Sequence, residues 1–534
     1  MSESISNERL SKRNLWGYSM GGIGRDMAYQ LVNTYLLTFI TFTKGLSNTE
    51  FAMVGVIMVI CRIFDGCNDP FMGSLIEITR TKIGKFKPWI LAGVFTNVAV
   101  IIALFCVPLR GTSYLIFFAF GYLLWGMTYT MNDISYWGML PSLTSNPGDR
   151  NNLTTLANIG AGIGAGLSVL AIPSLTQGNL AIASNASKSY AIVSIIVCIV
   201  FFVCQIMTVF VVKEKPLPKV RVDDGEKRSL KDMFKVIFKN DQLKPVMASM
   251  LLYNIGSCIT MALASYWIYY RFAYQGLLVT LFTVISGVST LVIVFFPMMC
   301  KKHSRRWISK LSMIMIIVGY LLMFVISLTT GINHDADKVG FKIGEVLIPV
   351  TFIFTGLTGA CAFFGQTLFY QVLTISVANT VEYNEYTTGM RDEGVIFACR
   401  PFTAKLGSAA VVGITTLVVL ALGLNPTNKA ISNADYEAGQ LAVQVEQLVK
   451  DETPNFDSLS KEEQTKLIEA KKKSIETENV AKIENIIHTN EDTKVAKWQY
   501  QTMFAFMTLL PLVILLGSFA IYFKKYNISE ERYD

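Results

Sequence analysis

Apolar stretches of about 20 residues or more recur along this chain and limit what it can fold into. Lipid offers the backbone no hydrogen-bond partners, so stretches of this length are stable in a bilayer as helices. We predict roughly twelve such spans. They cover residues 16–43, 50–77, 88–108, 113–140, 153–176, 189–212, 245–271, 277–300, 307–329, 345–376, 393–423 and 499–523. With 52% hydrophobic and 16% charged residues, the composition is typical of a multi-pass protein of the lipid bilayer.

Basic residues indicate which loops face the cytoplasm. They cluster in loops that alternate along the chain: Arg9, Lys12 and Arg13; Arg80, Lys82, Lys85 and Lys87; a run from Lys213 to Lys244; Lys301, Lys302, Arg305 and Arg306; and Lys524 and Lys525. We predict a protein of the plasma membrane. The positive-inside rule places these loops and both termini on its cytoplasmic side. The net charge of +8 follows this topology, so we predict no nucleic-acid partner. The polar residues before the first span lead us to expect no cleavable signal.

The basic central loop divides the spans six and six. This layout predicts an all-α membrane protein with twelve transmembrane helices in two six-helix halves, the major facilitator fold. The predicted domains are an N-terminal half over residues 1–212, a cytoplasmic central loop over 213–244 and a C-terminal half over 245–534.

A polar, extracellular insert over about residues 425–497 interrupts the second half. Ser460-Lys-Glu-Glu463 has the pattern of a capping box, which predicts a charged helix running through Ile483. Leu441, Val445 and Leu448 form a shorter amphipathic stripe before it. Because acidic and basic residues are interspersed there, we predict a solvated helical cap or hairpin, with partner docking as the alternative.

Four aspartates interrupt the apolar spans: Asp26, Asp65, Asp69 and Asp133. An uncompensated carboxylate at the bilayer centre costs roughly 2.5 to 3.5 kcal/mol even on lenient insertion scales. Such residues persist where they face a hydrated cavity and hold a ligand, so they predict a transporter. At a rise of about 1.5 Å per residue, Lys405 reaches a similar depth, and we expect the five charges to converge on one layer.

The second span carries a predicted cation site. Arg62, Asp65 and Asp69 are spaced i, i+3 and i+7 and share one helix face, with Asn68 beside them. Thr130 on span four can add a neutral oxygen. Two carboxylates, an amide carbonyl and a hydroxyl make an all-oxygen set suited to Na⁺, with H⁺ and Li⁺ as alternatives. A structural network neutralised by Arg62 is the competing interpretation, but one arginine cannot balance two aspartates.

Asp26 and Asp133 indicate a second, substrate-binding site. Ionised carboxylates only accept hydrogen bonds, so a pair of them can bind several hydroxyl groups of one polyhydroxylated ligand. Tyr129 and Trp137 flank Asp133 at −4 and +4 and offer aromatic faces for the apolar side of a sugar ring. Arg25 adds charge and donors beside Asp26. Aromatic residues elsewhere in this chain are better explained by lipid or core packing.

Several runs of sequence resemble one family. They are Gly24-Arg-Asp26, Arg62-Ile-Phe-Asp-Gly-Cys-Asn-Asp-Pro-Phe-Met-Gly73, Gly84-Lys-Phe-Lys-Pro-Trp-Ile-Leu91, Trp125-Gly-Met-Thr-Tyr-Thr-Met-Asn-Asp133, Val381-Glu-Tyr-Asn-Glu-Tyr386 and Lys405-Leu-Gly-Ser-Ala409. The chain resembles the glycoside-pentoside-hexuronide:cation symporters, the melibiose carrier-like branch of the major facilitator superfamily. The resemblance covers nearly the whole chain except the insert after Asn425.

The resemblance implies roles for individual residues. The family's cation-site positions are occupied here by Asp65, Asn68, Asp69 and Thr130, with Asp65 and Asp69 as the metal ligands. Its sugar-contacting positions are occupied by Arg25, Asp26, Tyr129, Asp133 and Trp137. Lys405 falls on the lysine that links the two sites. We assign Lys405 and Arg62 a role in coupling cation binding to sugar binding.

The sequence also departs from the family pattern. Asn158 occupies the position of an arginine on span five of the melibiose carrier, and Tyr370 occupies the position of a tryptophan on span ten of that carrier. Arg400 and Pro401 replace neutral, non-proline residues on span eleven. These changes imply a remodelled sugar site, so galactoside specificity does not follow from the resemblance.

We therefore predict a symporter that couples uptake of a sugar, which could be a glycoside, oligosaccharide, pentoside or hexuronide, to Na⁺ by alternating access. An H⁺-coupled sugar symporter and a non-transporting sugar sensor on the same fold are the alternatives. We predict no enzyme, because no span contains a histidine, metal cluster or nucleophile constellation. Apart from the coupling ion we predict no cofactor, and we expect a monomer.

Overall fold

The fold is seen in a computed structural model, which describes residues 10–144, 146–214, 240–272, 274–330, 339–343, 346–388 and 393–528. The helices of the first half are α1 (Lys12–Thr43), α2 (Asn48–Ile78), α3 (Lys87–Cys106), α4 (Gly111–Leu143), α5 (Pro147–Thr176) and α6 (Ala186–Val211). They are followed by α7 (Leu243–Arg271), α8 (Gly276–Ser289), a 3₁₀ turn (Thr290–Phe295), α9 (Phe296–Lys302), α10 (Arg305–Thr330), α11 (Val350–Thr388), α12 (Glu393–Ala421) and α16 (Lys497–Lys525).

Every predicted span coincides with one of these helices, the eighth with the run from α8 to α9. Among the described residues, ten helical segments are long and apolar enough to cross a membrane. The two predicted spans outside these ten are α1 and α2, which carry Arg25, Asp26, Arg62, Asp65 and Asp69. The predicted fold class is confirmed, and the two most polar spans carry most of the predicted site.

Local signals set several helix starts. Ser47 and Glu50 form a reciprocal capping box at the first turn of α2, and Asn185 caps α6 by accepting from the Lys188 amide. Both arrangements satisfy amides that have no partner inside the helix.

The predicted span over 345–376 begins too early. Residues Val346–Pro349 form a strand, β2, which pairs antiparallel with β1 (Gly340–Ile343), and α11 begins only at Val350. The run Val-Leu-Ile-Pro contains β-branched residues and ends in a proline, which suits a short strand better than a helix interior. Apolar composition alone did not distinguish the two.

The chain forms two compact units. Unit 1 comprises residues 1–221, 272–280 and 423–494, and unit 2 comprises 222–271, 281–422 and 495–534. Unit 1 thus contains α1 to α6 together with the insert. Most of the predicted central loop lies outside the described residues.

The insert folds into α13 (Asn425–Val443), α14 (Val445–Glu452), a 3₁₀ turn (Phe456–Ser458) and α15 (Lys461–His488). The Ser460 and Glu463 capping box is present at the start of α15. The predicted stripe is partly wrong: Leu441 is 41% exposed, whereas Val445 and Val449 are buried in a small core with other residues of the insert. The chain bends after Val443, so a single helical period did not continue across the stripe.

Candidate cation and substrate site

Arg25 joins the two acids of the predicted substrate site. Its guanidinium donates to Asp26 Oδ2 from Nε at 3.0 Å and from Nη2 at 2.5 Å. Its Nη1 lies 3.1 Å from Asp133 Oδ1, which links α1 to α4. The arginine is only 3% exposed, whereas Asp26 is 21% and Asp133 is 34% exposed. The carboxylates therefore remain accessible to a ligand while the buried cation between them offsets part of their charge.

Aromatic rings surround this ion-pair cluster. The Arg25 guanidinium lies 4.7 Å from the centroid of the Tyr136 ring and 4.8 Å from that of Trp137. Tyr129 lies on the same helix, with its ring centroid 5.1 Å from that of Tyr29 on α1. The result is a polar centre with aromatic walls, an arrangement suited to the mixed polar and apolar faces of a sugar ring.

Contacts between α1 and α4 hold this geometry in place. Tyr18 donates its hydroxyl to the Tyr136 carbonyl at 2.8 Å, and Tyr136 donates in return to the Tyr18 carbonyl at 2.7 Å. The two rings are stacked with centroids 4.4 Å apart. On the other side of α1, Gly160 and Gly164 of α5 let the helices approach so closely that an added Cβ would clash with the Ser19 and Ile23 carbonyls.

Thr130 joins the two acids of the predicted cation site. Its hydroxyl donates to Asp65 Oδ1 at 2.7 Å and lies 3.4 Å from Asp69 Oδ1. Because the hydroxyl hydrogen points to a carboxylate, the lone pairs of the same oxygen can still coordinate a cation. The structure therefore brings three of the four predicted oxygen-bearing residues together from two helices.

The remaining predicted residues of α2 lie beside this pair. Asn68 is buried, and its Nδ2 has no hydrogen-bond partner among the described residues. A buried N–H group without a partner is costly. A cation cannot accept its hydrogen bond, so this nitrogen is not itself evidence for the cation site. Arg62 is also buried and donates from Nε to the Tyr122 hydroxyl at 3.1 Å.

Unit 2 holds the basic residues of the second half. Lys405 lies partly buried on α12. Arg400, on the same helix, donates from Nε to the Tyr370 hydroxyl at 3.0 Å, and its guanidinium lies 5.5 Å from that ring's centroid. The convergence of Lys405 with the acids of α1, α2 and α4 stays a prediction.

Sequence reasoning missed three aromatic members of the site. Tyr136 lies under the Arg25 guanidinium, Tyr122 binds Arg62, and Tyr29 faces Tyr129. Helical spacing offered a signal, since Tyr136 follows Asp133 by three positions and Tyr29 follows Arg25 by four. In a chain that is 12% aromatic, this signal does not separate ligands of the site from ordinary core residues.

Comparison with known proteins identifies the family. The profile described as MFS/sugar transport protein matches residues 17–442, so the chain belongs to this family of membrane transporters. The match confirms the predicted resemblance, and the family consists of membrane transporters and not of enzymes.

Two curated relatives carry sugar-related names. The raffinose carrier protein of Pediococcus pentosaceus is 26% identical over 79% of this chain and 64% of its own length. A lactose permease of Lactobacillus delbrueckii subsp. bulgaricus is 28% identical over 76% of this chain and 63% of its own. The chain thus spans less than two thirds of the length of these relatives.

A solved structure shows the same fold. The nucleoside transporter NupG covers 95% of this chain and 99% of its own, with a TM-score of 0.53 and 11% identity. At this identity the similarity concerns the architecture, which is the major facilitator fold of a multi-pass membrane protein.

Proposed function

We propose that this protein takes up a sugar together with Na⁺ by alternating access in the plasma membrane, with both termini in the cytoplasm. The observation that carries the proposal is the Thr130 hydroxyl between Asp65 and Asp69. A proton needs only one carboxylate, whereas a metal cation gains from converging neutral oxygens. The raffinose and lactose names of the relatives support a neutral oligosaccharide as the substrate.

Coupling between the two ligands has a short physical route. Thr130 contacts the cation acids, and Asp133, three residues later on α4, contacts Arg25 at the substrate acids. A cation that draws Asp65, Asp69 and Thr130 together fixes the rotation of α4 and with it the position of Asp133. By linkage, a sugar that fixes Asp133 then raises cation affinity by the same factor.

The test is sugar affinity measured at fixed pH while Na⁺ replaces choline, then across pH without Na⁺. We expect affinity to rise with Na⁺ and to vary little with pH. Asp65→Cys and Asp69→Cys should each eliminate the Na⁺ stimulation. An affinity that ignores Na⁺ but rises as pH falls would mean that one aspartate binds a proton and that the symporter is H⁺-coupled. A protein that binds sugar but gives no counterflow of labelled sugar in vesicles would be a sensor.

A further inference from the structure

The insert belongs to one unit while its chain neighbours belong to the other. The chain leaves unit 2 after residue 422, contributes residues 423–494 to unit 1, and returns to unit 2 at residue 495. It therefore connects α12 and α16 of unit 2 through helices that are packed on unit 1.

A buried aspartate provides the first attachment. Asp435 on α13 is 1% exposed and accepts hydrogen bonds from the Ala186 amide at 2.5 Å and the Ser187 amide at 3.1 Å. These amides belong to the first turn of α6, where the helix dipole favours an anion. The α6 cap residue Asn185 also donates from Nδ2 to the Asp435 carbonyl at 2.9 Å.

An arginine provides the second attachment. Arg110, which precedes α4, donates from Nη2 to the Ser432 carbonyl at 3.0 Å, the Ser432 hydroxyl at 2.8 Å and Asn433 Oδ1 at 3.0 Å. Its guanidinium also lies 4.5 Å from the centroid of the Tyr436 ring. One side chain of the α3–α4 turn thus contacts three residues within little more than one turn of α13.

Two further hydrogen bonds attach the first and the last helix of the insert to unit 1. Asn425 donates from Nδ2 to the Leu46 carbonyl at 3.0 Å, and Asn479 of α15 donates to the Ser184 carbonyl at 3.5 Å. The entry point is Gly423, whose φ of +64° lies in the left-handed region that favours glycine. The chain therefore turns sharply at the residue where it passes from unit 2 to unit 1.

We propose that the insert is a strap: its attachment to unit 1 at Asp435 and Arg110 restrains α12 and α16 and limits the rate of the conformational step of transport. The proposal rests on the alternating-access function proposed above, because only a cycle in which the units rearrange makes the restraint matter. The insert contains none of the predicted ligand-binding residues. Loosening it should therefore change a rate and leave binding unchanged.

The experiment compares sugar binding with sugar uptake in Asp435→Asn and Arg110→Gln. Equilibrium binding of labelled sugar to the purified full-length protein should stay within about twofold of wild type. The maximal uptake rate in proteoliposomes should rise at least about threefold in both variants. Lys482→Gln is the matched control, because it removes an exposed ion pair to Glu437 inside the insert and should change neither quantity.

A second test severs the strap after folding. A protease site placed in the exposed turn at residues 489–492 allows the folded full-length protein to be cut between α15 and α16. Cutting should raise the uptake rate in the same direction as the substitutions. The strap proposal is wrong if cutting leaves the uptake rate unchanged or lowers it. It is also wrong if the uptake rate is unchanged or lower in the substituted variants that still bind sugar. Wild-type protein that takes up no sugar under any ion gradient instead overturns the proposed function.

Discussion

Thr130 donates a 2.7 Å hydrogen bond to Asp65, and Asp133 follows Thr130 on the same face of α4 one turn later. One helix therefore contacts both the acids of α2 and, through Arg25, the acid of α1. Movement of either set of acids must be accommodated by α4. This relationship makes the two candidate ligand sites neighbours in structure, although their residues are far apart in sequence.

The Thr130 hydroxyl should be required for Na⁺ stimulation. Thr130→Val keeps the shape and removes the oxygen, so we expect the Na⁺ concentration for half-maximal sugar binding to rise about two- to tenfold, the equivalent of a net hydrogen bond. Thr130→Ser should behave like wild type. Thr96→Val is the control, since Thr96 is an exposed residue of α3 that bonds only its own helix. Equal Na⁺ dependence in the valine and serine variants would remove Thr130 from the site.

The substrate acids should be separable from the cation acids. Asp133→Asn and Asp26→Asn each weaken a charge-assisted contact worth about 1.5 to 3 kcal/mol, so sugar affinity should fall roughly ten- to a hundredfold. Binding of Na⁺ should persist, and it can be measured by the protection that Na⁺ gives against thermal unfolding. Asp149→Asn, which alters a carboxylate bonded to the Leu10 amide, should leave sugar affinity unchanged. Near-normal sugar affinity in a folded Asp133→Asn or Asp26→Asn protein would contradict the assignment.

The reciprocal tyrosine pair should contribute to stability. Tyr136→Phe removes the hydroxyl that donates to the Tyr18 carbonyl but keeps the ring beneath Arg25. We expect the free energy of unfolding to fall by about 1 kcal/mol, or slightly more because the carbonyl stays buried. Tyr114→Phe is the matched control, because that buried hydroxyl makes only a long bond of 3.4 Å. The measurement is thermal unfolding in detergent, and equal changes in both variants would argue against a special role for the pair.

The attachment of the insert should depend on pH. Burial raises the pKa of the Asp435 carboxyl from 3.8 to about 6, against the opposing effects of the α6 amides, Arg110 and Lys44. Between these values the folded protein binds more protons than the unfolded one, so the free energy of unfolding should fall as pH rises from about 4 to about 6. Above about pH 6 this contribution should be constant.

This prediction is checked by the difference in melting temperature between wild type and Asp435→Asn, because the asparagine variant lacks the titrating group. The difference between the two should change across the window from about pH 4 to about pH 6. A difference that is the same at both ends of the window would mean that the carboxyl has an ordinary pKa in the folded protein.

Local sequence determined the helices and the residues that each helix presents together. The apolar stretches predicted the spans because a buried backbone in lipid has few alternatives to a helix. The i, i+3 and i+7 spacing put Arg62, Asp65 and Asp69 on one face, since a helix fixes that geometry regardless of its surroundings. Ser460 and Glu463 likewise predicted the start of α15, because a capping box involves residues only three apart.

Tertiary structure decided which faces meet, because the rotation of one helix against another depends on packing over the whole chain. It placed Arg25 between Asp26 and Asp133 and brought Tyr136 beneath it, while the family resemblance gave only a role for each residue. It also buried Asp435 of α13 against the first turn of α6. The polar composition of the insert predicted a solvated cap, since nothing local distinguishes a carboxylate that binds distant amides from one that faces water.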